Sequence, residues 1–216
     1  MADTVTLDTL RRWLHRFATD IAAEAHWLTE LDSAIGDADH GTNMVRGTKA
    51  VVAKLDAAAP ATVPEFFKSV GMTLISSVGG ASGPLYGTFF LEMGRHSPTA
   101  AELTPDELDA ALRAGLDGVV SRGHAEPGDK TMIDALTPAL AALTEALGAG
   151  LALAAALNAA ADAAAAGRDA TKPLVARKGR ASYLGDRSAG HLDPGAASTA
   201  ILIADLAAVV AEEPSA

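Results

Sequence analysis

Apolar residues recur at helical spacing along nearly the whole chain. Leu7, Leu10, Leu14, Phe17 and Ile21 share one helical face, which predicts a helix over Leu7–Leu28. A second helix is expected over Asn43–Ala57. Pro64 stands at the start of a third, Glu65–Ser77, whose apolar side is Phe66, Phe67, Val70 and Leu74. Pro84 at a first helical position opens Leu85–His96. Thr104-Pro105-Asp106-Glu107 reads as an N-cap, a first-turn proline and an acidic first turn for a helix ending near Arg122. Thr131–Leu147, Leu151–Gly167 and Gly195–Glu212 follow, the last reached through Asp193-Pro194. No stretch alternates like a strand. The pattern is all-α, with about eight helices and short connections. The exception is Gly167–Pro194, rich in Gly, Lys and Arg; connections of that length in compact domains are usually functional or disordered.

Composition supports this picture. The 216 residues are 49% hydrophobic and only 4% aromatic. Alanine is abundant, and such sequences favour helix. No shift in composition divides the chain, so residues 1–216 read as one domain. The alanine-rich Leu151–Ala166 carries Leu151, Leu153 and Leu157 and reads as a packed helix. Without cysteine there is no disulfide framework, thiolate nucleophile or thiolate metal site, which agrees with a cytoplasmic protein. The N-terminal MADTVTLDTLRRW lacks the apolar core of a signal peptide. The nearest approach to a membrane span, Leu136–Ala161, contains Thr, Glu and Asn and reads as a buried soluble helix. A net charge of −10 disfavours nucleic acid as a partner. Base is unevenly placed: Arg168, Lys172, Arg177, Lys178, Arg180 and Arg187 crowd one segment, whereas Gly123–Gly167 carries only Lys130. A basic loop in an acidic protein is either a solvated surface or a phosphate clamp.

The candidate chemistry begins at Leu31-Asp32-Ser33-Ala34-Ile35-Gly36-Asp37-Ala38-Asp39-His40-Gly41. Asp32, Asp37 and Asp39 lie at i, i+5 and i+7 with Gly36 among them. Hard cations such as Mg²⁺ take oxygen ligands. Carboxylates gathered on one loop repel unless a cation sits between them. An acidic turn with an Asp cap is the plain alternative. The spacing and the missing glutamate at the twelfth position argue against an EF-hand-like Ca²⁺ module. Three glycine-containing junctions precede helices: His40-Gly41-Thr42, Ala81-Ser82-Gly83-Pro84 and Asp193-Pro194-Gly195. Helix N-termini present unpaired N–H groups and suit phosphate. Gly123–Thr131 approaches a P-loop, but Asp129 separates Gly128 from Lys130 and the preceding segment is helical, so that reading is rejected. His15, His26 and His96 fall on helices and read as surface or packing residues, while His40, His124 and His191 fall in the motif loops.

Leu31–Gly47 resembles the signature of the L subunit of dihydroxyacetone kinase, the nucleotide-binding component. Ser76–Phe90, Gly128–Pro138 and Ala176–Thr199 resemble the same family in the same order. The resemblance implies an antiparallel eight-helix barrel with nucleotide at one rim. It implies that Asp32, Asp37 and Asp39 bind two Mg²⁺. It places His40, Gly41, Thr42, Asn43, Ala81, Ser82, Gly123, Met132, Arg180, Asp193, Pro194 and Gly195 around ADP or ATP, and it supplies the convergence of the three junctions. Catalysis then needs positioning and charge neutralisation rather than a protein nucleophile. The implied partners are a K subunit that holds the ketose and an M subunit whose phosphohistidine recharges ADP. The resemblance leaves homodimerisation open. Two further readings stand beside this one: an ATP-dependent kinase subunit with exchanging nucleotide, and a nonenzymatic Mg-nucleotide-binding regulator. A free-standing L-type chain favours the phosphohistidine mode.

Overall fold

The computed structural model describes residues 4–213, so the first three residues of the N-terminal stretch read above lie outside it. Among the described residues the helices are α1 (Leu7–Ala23), α2 (Ala25–Ile35), α3 (His40–Ala57), α4 (Val63–Ser77), α5 (Ser82–Arg95), α6 (Pro105–Gly123), α7 (Ile133–Gly148), α8 (Leu153–Ala170) and α9 (Pro194–Ala211). A 3-10 segment spans Arg180–Ser188. Two short strands, β1 (Val5–Thr6) and β2 (Glu102–Leu103), pair antiparallel where no strand was expected.

Contacts between helices run from α1 to α3 and then in chain order to α9, which returns to α1. Eight helices thus form a closed circuit, and α2 packs beside it on α3 and α9. Helices joined by short connections reverse direction, so alternate connections share an end of the molecule. The α2–α3, α4–α5, α6–α7 and α8–α9 connections therefore gather at one rim. The N-termini of α1, α4 and α6 lie at the other. There Val63 N–H donates to Ala100 O at 2.8 Å, and Leu7 N–H to Ala101 O at 3.1 Å.

The core is aliphatic with one aromatic knot. Trp13, Phe66, Phe67, Phe89 and Phe90 are fully buried, with neighbouring ring centroids 5.2–6.1 Å apart. Trp13 Nε1–H donates to Leu202 O at 2.8 Å, which satisfies its one polar group and ties α1 to α9. Alanine explains the close approach of α7 and α8, because Ala156, Ala160, Ala164 and Gly167 face inward at helical spacing. A Cβ at Gly167 would lie 2.2 Å from Asp134 O. Pro138 lacks the N–H that would have used that carbonyl four residues back.

Several boundaries differ from the periodicity reading. The helix expected over Leu7–Leu28 breaks at Glu24, and α2 turns so that α3 can cross it. A Cβ at Gly41 would stand 2.1 Å from Ala25 O. Asp32 therefore sits in the last turn of a helix rather than on the acidic loop. Helix α5 begins at Ser82, so Pro84 is its third residue rather than its first. Among the described residues the helix long and apolar enough to span a membrane is α9, not the 136–161 stretch, and 67% of it is buried inside the fold.

Candidate functional site

A cavity of about 390 Å³ opens at the rim where the alternate connections gather. That size suits a small-molecule ligand. The first turns of α3, α5, α7 and α9 border it, through His40, Ser82, Ile133 and Pro194. One of these four, at α7, was not among the three junctions read from sequence. Each helix start offers N–H groups without intrahelical partners and a partial positive charge.

The carboxylates lie on one side of the cavity. One oxygen from each of Asp32, Asp37 and Asp39 lies within 4.8 Å of the others. Asp32 is only 8% exposed. Its Oδ2 accepts the N–H of Asp39 at 2.8 Å and of His40 at 3.1 Å, so it caps α3 from the preceding helix. Asp39 stands at the N-cap position but makes no side-chain cap, which leaves its carboxylate for other work. Asp32 Oδ1 overhangs Gly36, where an added Cβ would lie 2.0 Å from it. Ala38 between the other two acids adopts a left-handed φ of 61°. Hard oxygen donors at this spacing, with a backbone shaped around one of them, fit Mg²⁺.

Arg180, at the start of the 3-10 segment, pairs through Nε with Asp37 Oδ2 at 2.8 Å. It is 68% exposed on its side chain, so the pair adds little to stability and leaves the guanidinium at the mouth. Ala81 and Ser82 border the cavity from the α4–α5 connection, Gly123 from the end of α6, and Met132 from the start of α7. Gly123 faces Leu85 and Met132 faces Gly195. Gly41, Thr42 and Asn43 do not border the cavity. Gly41 meets α2, Thr42 is exposed, and Asn43 stands against Gly79 of the next connection.

Beneath the cavity lies a buried polar relay. His40 Nε2 is 2.9 Å from Ser198 Oγ, and Nδ1 is 3.3 Å from Ser82 Oγ. Ser198 Oγ also meets Tyr86 OH at 2.8 Å and donates to Pro194 O at 3.1 Å. A serine hydroxyl has one proton to give. With it on a carbonyl, Ser198 accepts Nε2–H, and His40 Nδ1 accepts from Ser82. Burial lowers the His40 pKa and keeps the imidazole neutral, opposed by Asp32 and Asp39. Burial likewise pushes the Tyr86 hydroxyl up to about 12. Asp193 caps α9, its Oδ2 accepting Ala196 N–H at 2.7 Å, and burial pushes it up to about 7.

Of the loop histidines only His40 is buried at the site; His124 and His191 are exposed. Sequence reasoning gave no role to Tyr86, Ser198, Asp134 or Lys130. The one signal for Lys130 was its isolation in a long stretch without other base.

The sequence and the fold have counterparts among known proteins. Residues 34–208 match the family model described as the DAK2 domain. The chain is 48% identical over 93% of its length to the "PEP-dependent dihydroxyacetone kinase, ADP-binding subunit DhaL" of Escherichia coli (strain K12), covering 95% of that protein. It is 44% identical over 96% of its length to the "PTS-dependent dihydroxyacetone kinase, ADP-binding subunit DhaL" of Lactococcus lactis, covering all of it. The crystal structure of the dihydroxyacetone kinase of C. freundii superposes with a TM-score of 0.71 at 26% identity, over 92% of this chain and 34% of that one. This chain belongs to the DAK2 domain family.

Proposed function

We infer that this chain is the ADP-binding subunit of a phosphoenolpyruvate-dependent dihydroxyacetone kinase. It is a phosphotransferase component that carries the nucleotide while a separate K-type subunit presents dihydroxyacetone. The observation that carries the reading is the convergence of Asp32, Asp37 and Asp39 beside the starts of α3, α5 and α9. Carboxylates and helix N-termini are opposite in charge. A ligand that needs both is an anion bound together with a cation, as a metal–nucleotide is.

The three aspartates would hold two Mg²⁺ ions, which when bound neutralise phosphate charge. The N–H groups at the starts of α5 and α9 would meet phosphate oxygens, and Gly123 and Met132 would flank the nucleoside. Arg180 lies on the open side, placed to neutralise charge on the phosphoryl group being moved. The neutral His40, fixed between Ser82 and Ser198, offers the site a dipole rather than a charge. The 167–194 loop closes over the phosphates, slows release and keeps water from them. In this mode ADP is a retained cofactor in the cytoplasm, recharged in place by a phosphohistidine on an M-type subunit.

The test is direct. Chain purified and desalted extensively should still release ADP on denaturation. With K subunit and dihydroxyacetone, turnover should require the phosphohistidine donor, and ATP should replace it poorly. Arg180→Ala should keep the melting temperature and lose transfer. A nucleotide-free protein that turns over at full speed with ATP alone would replace the retained-cofactor mode with an exchanging one.

A further inference from the structure

Lys130 is the least expected charged residue of the fold. It is 1% exposed, although it is a lysine on a connection. Its Nζ donates to Thr171 O at 3.0 Å, Leu174 O at 3.1 Å, Ser188 O at 2.8 Å and His191 O at 2.5 Å. An ammonium has three protons, and here it meets four carbonyls. Rings of backbone carbonyls are how proteins replace the hydration shell of a monovalent cation. Burial lowers the lysine pKa, opposed by the nearby Asp193.

The four carbonyls come from both ends of one loop. Thr171 and Leu174 follow α8, Ser188 ends the 3-10 segment, and His191 precedes α9. Between these ends lie Lys178 and Arg180 at the cavity mouth, and just after them the Asp193–Gly195 start of α9. The other side of the bridge is rigid. Asp134, in the first turn of α7, accepts Gly128 N–H through Oδ1 at 2.5 Å and Thr131 N–H through Oδ2 at 2.7 Å. This brace holds the Lys130 backbone at a left-handed φ of 63°. Such a conformation in a non-glycine residue persists only where its surroundings determine it. Arg177 N–H adds a further tie to Asp129 O at 3.0 Å.

We propose that Lys130 is a positioning residue acting as a tethered monovalent cation, which draws both ends of the 171–191 loop onto the braced α6–α7 connection and so sets Arg180 and the start of α9 against the nucleotide. The last clause rests on the nucleotide reading above; the loop clasp itself does not. Lys130 borders the cavity, but its Nζ is taken up by loop carbonyls rather than by a ligand. It acts through the carbonyls of Thr171, Leu174, Ser188 and His191, which place the Lys178–Arg180 stretch and the start of α9 at the cavity.

The experiment follows amide exchange of the 172–191 loop without nucleotide, in wild type, Lys130→Met and Lys130→Ala, together with release of a fluorescent ADP analogue in Mg²⁺. In both variants the loop amides should exchange about tenfold faster or more, the factor that one lost charge-assisted hydrogen bond carries. The analogue should leave faster by a similar factor. Lys130→Ala should regain loop protection in ammonium or potassium chloride, but not in tetramethylammonium chloride at the same ionic strength. Loop exchange unchanged from wild type in the variants overturns the proposal. Loosening that ammonium and potassium both fail to reverse also overturns it, because the side chain would then act by packing alone. Should the variants not fold, wild type still decides. The Lys130 ammonium protons must give slowly exchanging ¹⁵N-correlated NMR signals, and their absence refutes the cage. A loop that loosens and is rescued in a protein that binds no Mg-ADP upholds the clasp and removes the nucleotide reading instead.

Discussion

Asp32 is asked to do two jobs, and they separate cleanly by mutation. Its Oδ2 caps α3 through two backbone N–H groups, at 2.8 and 3.1 Å, its Oδ1 lies over Gly36, and one of its oxygens comes within 4.8 Å of the other two acids. Asp32→Ala leaves both N–H groups without their acceptor at a nearly buried position. Loss of a cap costs ~0.5–2 kcal/mol and a buried unsatisfied donor ~1–3 kcal/mol, so a total near ~2–3 kcal/mol is expected. For a chain of this size each kcal/mol moves the melting temperature by roughly 2–4 °C, giving a drop of roughly 4–12 °C. Asp32→Asn keeps a carbonyl acceptor and should fall about half as far, as neutral hydrogen bonds are about half as strong as charged ones. Asp37→Ala removes an exposed pair with Arg180, worth at most about 1 kcal/mol, and should shift melting by at most about 4 °C. All three variants should lose Mg-dependent ADP binding. The assay is helical circular dichroism against temperature in chelator, beside calorimetric titration of ADP with Mg²⁺. Coincident melting of Asp32→Ala and Asp37→Ala in chelator would refute the capping role. Wild-type ADP affinity in Asp37→Ala would refute the metal role.

Gly36→Ala places a methyl 2.0 Å from Asp32 Oδ1, so the acid must move. At ~1–3 kcal/mol for overpacking, Mg-dependent ADP binding should weaken about ten- to a hundredfold, and a calorimetric Kd equal to wild type would count against the cradle. Asp205, far from the site, has an unpartnered Oδ2, and burial beside Asp20 raises it to about 8. The native state then keeps a proton that the unfolded chain releases near pH 4, so this group's contribution to stability falls as pH rises from about 4 to 8. Asp205→Asn should therefore melt above wild type at pH 8 and converge on it toward pH 5; parallel melting curves across that range would contradict the assignment.

The acid triad and the ordered motifs were legible because their chemistry is written in side chains. Helix α8 was legible too, since its inward face is mostly alanine and leucine, both strong helix formers. The break at Glu24 was not, for no Gly or Pro marks it and its cause is the crossing of α3 at Gly41. The clasp around Lys130 could not be read at all. Its acceptors are main-chain carbonyls of Thr171, Leu174, Ser188 and His191, which every residue possesses and none advertises. The same holds for the relay under the cavity. Ser198 and Thr199 read as ordinary small residues of a core helix until Tyr86 and His40 are seen to meet them.

The closed circuit of helices has a consequence for how the molecule comes into being. From α3 onward nearly every large interface joins helices adjacent in the chain, contacts that form quickly because little loop entropy is spent on them. The joining of α9 to α1 and α2 is different, since it spans almost the whole polypeptide. That same closure brings Ser198 to His40, 158 positions apart, and the start of α9 to the acids. During synthesis the rim cannot exist until α9 has left the ribosome. Ligand binding thus serves as a reporter of completed folding, and chains truncated before α9 would be silent however well their earlier helices had formed.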